Sequence, residues 1–385
     1  MEVRTISRQE DFAALHSTWD KLRSRGQFSP FLSHEWFDAA WQWRDPRAQL
    51  NLLCCMRGED LLGVLPLVRQ TSAAGSIRML EFLAVPDTQL CDVLASETDQ
   101  STVASALADE LARRQREWDA IVLRYLPGGA IALGDFQRAL SRHRLRCEVK
   151  QATRNPWIAL DSSWDAYYAS RSRRLKKAIN LANNRLPKAG HVEARWLQPG
   201  EGDAAEVEAQ VDQITAISAR SWKMRTGNSL DNAGPQAFIR RLSRHAHRIG
   251  CLSIWTLMLD KLPIAMEFQL IDDGRVYALR SDFDAAYEPL SPGSYLSRHM
   301  LAHLFGRGLR RYLMGPGENA YKYRWADGTE PVSTMTIYGR SVRGRLLASR
   351  ELVVKPAVRR IREIFARHEP GPTSPAKTSN PEDGR

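Results

Sequence analysis

The chain has 385 residues, 55 Lys and Arg against 44 Asp and Glu, a net charge of +11 and 43% hydrophobic content, with 11 Trp, 11 Phe and 10 Tyr. That length suits two domains, and the aromatic content argues against wholesale disorder. No apolar run approaches the ~20 residues of a membrane span, no signal-peptide core follows Met1, and the five scattered cysteines (Cys54, Cys55, Cys91, Cys147, Cys251) form no CxxC pair, so the expectation is a cytoplasmic protein with reduced thiols and no metal.

In chain order, residues 31–43 read as a helix with Phe31, Trp36, Phe37, Ala40 and Trp41 on a broad apolar face. Residues 50–57 and 61–68 read as a hairpin around Gly58-Glu59-Asp60, followed by a strand at 78–85, a helix at 101–116, a strand at 120–125 and a helix at 134–142. A second block repeats this grammar: helices at 164–183, 204–225 and 236–248, then a hairpin of 251–259 and 262–271 around Asp260-Lys261. The boundary is expected near 147–155, giving domains 1–150 and 151–350. A basic amphipathic helix is expected at 351–368, with Val354, Val358, Ile361, Ile364 and Phe365 against Arg359, Arg360, Arg362 and Arg367, and a disordered tail at 369–385.

Two segments carry most of the chemistry. After an apparent strand at 275–283, Ser291-Pro292-Gly293-Ser294-Tyr295 opens an apolar helix; glycine permits close backbone approach, and a helix start offers N–H groups to an anion such as pyrophosphate. The same letters also serve as plain helix-start chemistry. Gly315-Pro316-Gly317-Glu318-Asn319-Ala320-Tyr321-Lys322-Tyr323-Arg324-Trp325 is the densest polar–aromatic cluster. Asp282 and Asp284 follow the strand before the first loop, Glu318 lies in the second, and Glu267 sits mid-strand, where alternation points it either inward or to water.

These pieces, with Trp164, Tyr168, the basic run 171–177 and Ser221-Trp222-Lys223, resemble in order the GNAT-type N-acyltransferases over about 155–338, in particular the CelD-like acyltransferases associated with cellulose and exopolysaccharide biosynthesis. The resemblance implies an α/β (α+β mixed sheet) fold: tandem GNAT-like domains with mostly antiparallel central sheets flanked by helices. It also implies an acyl-CoA co-substrate, acetyl-CoA or longer, and direct transfer to an amine of a sugar, sugar nucleotide or small metabolite. On that reading Ser291, Gly293, Ser294 and Tyr295 contact the cofactor, and Asp282, Glu318, Tyr321 and Lys322 are the catalytic candidates. A tyrosine hydroxyl protonates the leaving thiolate, and a carboxylate serves the amine. The usual GNAT pyrophosphate loop is replaced here by Leu290-Ser291-Pro292-Gly293-Ser294, which leaves the donor open.

Two rivals stand beside this reading. A Fem-type aminoacyltransferase has the same tandem architecture but takes its donor from aminoacyl-tRNA; a long helical hairpin in the second half favours it. A non-catalytic protein peripheral to an anionic membrane suits the basic C-terminal helix. No specific nucleic-acid motif accompanies the charge.

Overall fold

The computed structural model describes residues 1–71 and 77–354. The N-terminal half runs through β1 (Glu2–Ile6), α1 (Gln9–Ala14), α2 (His16–Arg23), α3 (His34–Gln42), β2 (Gln49–Leu50), β3 (Leu52–Arg57), β4 (Asp60–Leu65), β5 (Leu67–Thr71), β6 (Arg78–Phe82), β7 (Leu94–Ala95), α4 (Gln100–Arg113), β8 (Ala120–Pro127), α5 (Asp135–Arg142) and β9 (Arg146–Ala159). The C-terminal half adds α6 (Trp164–Ser170), α7 (Arg173–Ala189), β10 (Val192–Leu197), α8 (Ala204–Ala219), α9 (Ala233–Arg248), β11 (Leu252–Leu259), β12 (Leu262–Asp272), β13 (Arg275–Phe283), α10 (Pro292–Leu304), β14 (Arg311–Leu313), α11 (Ala320–Trp325), β15 (Gly328–Tyr338) and α12 (Val342–Ser349). The strands form a 4-stranded sheet, β1-β3-β4-β7, and an 11-stranded sheet, β10-β11-β12-β13-β14-β9-β15-β8-β6-β5-β2. This is the mixed α/β architecture expected, antiparallel except where β13 meets β14 and β6 meets β8.

Strand exchange joins the halves. β9 crosses the expected boundary and pairs with β14 of the C-terminal half, Arg311 opposite Ala159 and Leu313 opposite Trp157. β15, from near the end of the described chain, pairs with β8 of the N-terminal half on one edge and with β9 on the other. Each half therefore completes its sheet beside a strand from the other.

Local chemistry explains where the expected elements changed. The hairpin of β3 and β4 forms, but Pro66 has no N–H for the ladder, and beyond it the chain leaves for the larger sheet as β5. The single helix expected at 164–183 is two: Arg171 is extended, and the Ser172 hydroxyl accepts from the Leu175 amide to start α7 afresh. The helix expected to reach 225 ends at Ala219, and Ser221 starts a short 3-10 turn, Trp222–Thr226. The C-terminal helix and tail expected beyond 350 fall almost wholly outside the described residues, which end in a short turn, Arg350–Val354.

Helix α7 buries Leu175, Ile179, Ala182 and Leu186 at helical spacing against α10, and turns Arg173, Arg174 and Lys177 outward. These three are the solvated face of an amphipathic helix, whereas Arg171, ahead of it, turns in to pair with Asp327 at 2.6 Å. Among the described residues, no helix is long and apolar enough to cross a membrane.

A second join is made by side chains. Trp36 of α3 meets Phe238 of α9 edge-on at 5.4 Å. Beside them Asp38 accepts from Arg241 Nε at 2.6 Å and lies 2.7 Å from His245 Nε2. Burial pushes Asp38 up, but the bonds from His245 and Arg241 outweigh it and hold its pKa at about 2. A carboxylate lowered in the fold contributes stability above its unfolded pKa and loses it as pH falls through the folded one. Asp38→Ala is expected to lower stability in urea by about 1–3 kcal/mol at pH 7, with the gap to wild type closing as pH falls from 4 towards 2. A gap independent of pH over that range contradicts this account of the clasp.

Candidate functional site

The site begins where two parallel strands part. β13 and β14 pair only over Arg275–Tyr277 and Arg311–Leu313. Beyond that point β13 stays with β12 as far as Phe283, opposite Ala265. The chain after β14 follows β9 instead: Met314 N–H donates to Pro156 O at 2.9 Å and Gly317 N–H to Arg154 O at 3.0 Å. The result is a wedge between residues 278–283 and 314–317, with an edge of β13 that, among the described residues, no strand covers.

Helix α10 starts at the open end of this wedge. Ser291 adopts a left-handed conformation (φ 56°), and its carbonyl accepts from the Ser294 and Tyr295 amides. Pro292 has no N–H to offer, so Gly293 is the first free amide of the helix. A Cβ at Gly293 meets only Phe283 Cδ1, at 3.5 Å, which places the helix start against the end of β13. The four residues expected to touch the cofactor, Ser291, Gly293, Ser294 and Tyr295, are thus together at this helix start, Tyr295 stacked on His299 at 4.4 Å between centroids.

The other wall is built by α11. Lys322 is buried, and its ammonium donates to Gly315 O at 2.8 Å and Pro316 O at 3.3 Å, pinning the loop that forms the wedge. Gly315 has a φ of +79°, which favours glycine at this turn. Desolvation, with repulsion from Lys223, pushes Lys322 down to about 8 against the attraction of Glu267. Tyr321, half exposed on the next position, is pushed up to about 12 by desolvation and by the Glu267 and Asp282 charges, so its hydroxyl keeps its proton at neutral pH.

Asp282 is buried on β13, its Oδ2 accepting from Ser218 Oγ at 2.9 Å and its Oδ1 2.7 Å from Lys223 Nζ. Glu267 points inward, buried on β12; Tyr312 Oη and Gln269 Nε2 both donate to it, and desolvation raises its pKa. Asp284 instead caps the turn Ala285–Leu290 through the Ala286 amide and pairs with Arg220 at 2.6 Å. Glu318 faces solvent in the Gly315–Gly317 loop region. The structure therefore brings Asp282, Tyr321, Lys322 and Glu267 around one wedge, and leaves Glu318 on its outer rim.

Residues from the N-terminal half reach the same place. In that half the parallel pair β6 and β8 also parts; the segment after β6 comes alongside β8, with Cys91 N–H donating to Tyr125 O at 2.9 Å, and a small cavity lined by Glu81, Phe82, Val85, Val122 and Tyr125 remains between them. The same segment reaches β13. Asp87 accepts from Arg280 Nε at 2.6 Å, both side chains buried, and Arg280 also donates to Asn228 O and Oδ1. Gln89 Nε2 donates to Ala278 O at 2.7 Å. Reading the sequence missed Asp87, Gln89, Arg280 and Tyr312; Pro86-Asp87-Thr88-Gln89 reads as an ordinary polar loop, and the only signal was a run of polar residues with no adjacent strand to serve.

Comparison with known proteins adds to this geometry. Residues 171–323 match the family model of the acetyltransferase (GNAT) domain. The chain carries a GNAT acetyltransferase domain. It is an acyltransferase. The match spans α7 to α11 and so includes the uncovered edge of β13, the start of α10 and Lys322. The fold is similar to that of FemX, with TM-score 0.55 and 11% identity over 91% of this chain and 99% of that one. It is also similar to a structure named as the C-terminal domain of a lysylphosphatidylglycerol synthetase from Agrobacterium fabrum (TM-score 0.52, 12% identity, 87% and 95% covered) and to a conserved protein from Bacteroides thetaiotaomicron (0.51, 11%, 88% and 100%). At these identities the likeness is one of fold. No curated protein matches the sequence.

Two expectations test the site. Lys322 keeps its proton in the unfolded chain up to its ordinary 10.5 but sheds it in the fold near 8, so on its account stability rises with pH between those values. Relative to Lys322→Met, wild type is expected to gain roughly 1–3 kcal/mol between pH 8 and 10 in denaturant unfolding; parallel profiles argue against a buried, depressed lysine. Asp87→Leu, which strands the Arg280 charge, is expected to cost about 3–5 kcal/mol, and adding Arg280→Met to recover part of it. Simple additivity of the two losses argues against direct pairing.

Proposed function

We propose that this protein is an acyl-CoA-dependent N-acyltransferase acting on an amine of a sugar, sugar nucleotide or small metabolite. The observation that carries this reading is the wedge between β13 and β14 with the α10 helix start at its mouth. A ligand with an anionic head and an extended, amide-bearing arm suits both parts: the helix start favours the phosphates, and the uncovered β13 edge suits a strand-like arm. The fit is supported by the Gly293 amide at the helix start and by a Cβ direction there that meets only Phe283 Cδ1, in ordinary contact at 3.5 Å. The CelD-like assignment, and with it a link to polysaccharide biosynthesis in the cytoplasm, is part of this proposal.

Bound acyl-CoA supplies the activated thioester. The chain's own residues position and move protons. As the amine nitrogen bonds to the acyl carbon and the carbon–sulfur bond breaks, the amine's proton goes to Glu267, whose burial raises its affinity for it, and Tyr321 gives its proton to the departing sulfur. Lys322 holds the loop carbonyls that shape the wall, and Asp282 fixes Lys223. Asp282 and Lys322 act here as positioning groups.

The fold's likeness to FemX favours a second reading, transfer from an aminoacyl-tRNA. Against it, residues 204–248 form no long hairpin: α8 and α9 are of 16 residues each, packed on each other and on the body of the protein, α8 on β12 and α9 on α3.

Calorimetric titration with acetyl-CoA, longer acyl-CoAs and free CoA tests the proposal. Saturable binding is expected, weakened more than tenfold by Gly293→Asp, whose carboxylate repels the pyrophosphate while its Cβ fits. Absence of heat with every CoA species, together with a gel shift by aminoacyl-tRNA, transfers the case to the second reading.

A further inference from the structure

The N-terminal half contributes a side chain whose chemistry the fold leaves unfinished. Gln89 is buried at 2% exposure. Its Nε2 donates to Ala278 O at 2.7 Å, on the edge of β13 just past the last parallel pair with β14. Its Oε1 is buried and has no hydrogen-bond partner. The identity of the two atoms follows from this geometry: the atom facing a carbonyl must be the donor, so the orphan is the oxygen. A buried acceptor without a partner is costly, and the site sits in the wedge wall, where a Cβ on Gly315 meets Ala278 O at 3.4 Å, Gln89 Nε2 at 3.5 Å and Lys322 Nζ at 3.7 Å.

Gln89 takes up the strand carbonyl and re-presents an acceptor of the same kind one side chain further on. In an unplugged wedge, an extended ligand pairs with the bare β13 edge through its own amide N–H, as a neighbouring strand does. Here the carbonyl at the apex is occupied by Gln89 Nε2, and the unpartnered oxygen belongs to that same buried amide.

We propose that Gln89 is a ligand-binding residue, supplied by the N-terminal half, whose Oε1 accepts a hydrogen bond from an amide N–H in the extended arm of the acyl donor. This rests on the acyl-CoA reading and deepens it. Asp87 and Arg280 serve this role indirectly: their buried pair fixes the segment two residues away from Gln89. The N-terminal half thus takes part in donor binding through the segment that carries Asp87 and Gln89.

The experiment is calorimetry on the full chain with two probes: acetyl-CoA, which has the amide arm, and adenosine 3′,5′-bisphosphate, which has the nucleotide part and no arm. Gln89→Met removes both polar atoms at similar length; Gln89→Glu keeps the acceptor and loses the donor to Ala278. Gln89→Met is expected to weaken acetyl-CoA at least tenfold with the bisphosphate affinity unchanged, and Gln89→Glu to bind acetyl-CoA within about threefold of wild type. Equal affinity of Gln89→Met and wild type for acetyl-CoA overturns the assignment. So does an equal loss in Gln89→Met and Gln89→Glu, which identifies Gln89 as a clamp on Ala278 only. Parallel thermal melts separate either result from misfolding, and failure of wild type itself to bind acetyl-CoA overturns the parent reading instead.

Discussion

Everything at the site depends on the parting of two strands that start out parallel. β13 and β14 share three registered pairs, and then each follows a different neighbour. β13 is kept straight by β12, and the segment after β14 is drawn away along β9. β9 holds that course because β15 lies along its other edge over the whole of the ladder from Trp157–Gly328 to Arg146–Tyr338. A sheet that stayed paired would bury its edge; this one exposes main-chain groups in a gap lined by buried charge.

Charge in that gap is arranged in partnerships rather than left free. Asp282 meets Lys223, Asp87 meets Arg280, and Glu267 receives two donors. Low-dielectric surroundings make each unpaired member costly, so the pairs hold the walls in one geometry. Lys322 differs in that carbonyls, not a carboxylate, accept its hydrogen bonds, and burial, with Lys223 nearby, lowers its affinity for a proton. Tyr321 beside it is more open to solvent.

Much of this was legible in the letters. Pro292-Gly293 after an apolar strand marked a real helix start, the turn Asp260-Lys261 marked a real hairpin, and the cluster at 321–325 did fall beside the wedge. What escaped were contacts distant in sequence. β9 read as a linker because its polar, alternating letters, Arg146 to Arg154, suit a half-exposed strand whose partners lie far along the chain. The break at Arg171 was hidden because a basic run suits one long helix as well as two, and only the Ser172 cap decides. Gln89 could not be found at all: its partner is Ala278, 189 positions further along the chain.

The exchanged strands also set an order on assembly. β15 must enter between β8 and β9, so during synthesis the N-terminal half waits with the β8 edge open until residues near 338 leave the ribosome. Closure of that seam is a long-range event with a large entropic cost, and contacts of this kind slow folding. In the interval the unpaired edge of β8, with Ile121, Leu123 and Leu126 along it, is a surface for wrong partners, so the nascent chain depends on chaperones or on speed. An enzyme whose two halves finish each other has neither half complete before β15 has been made.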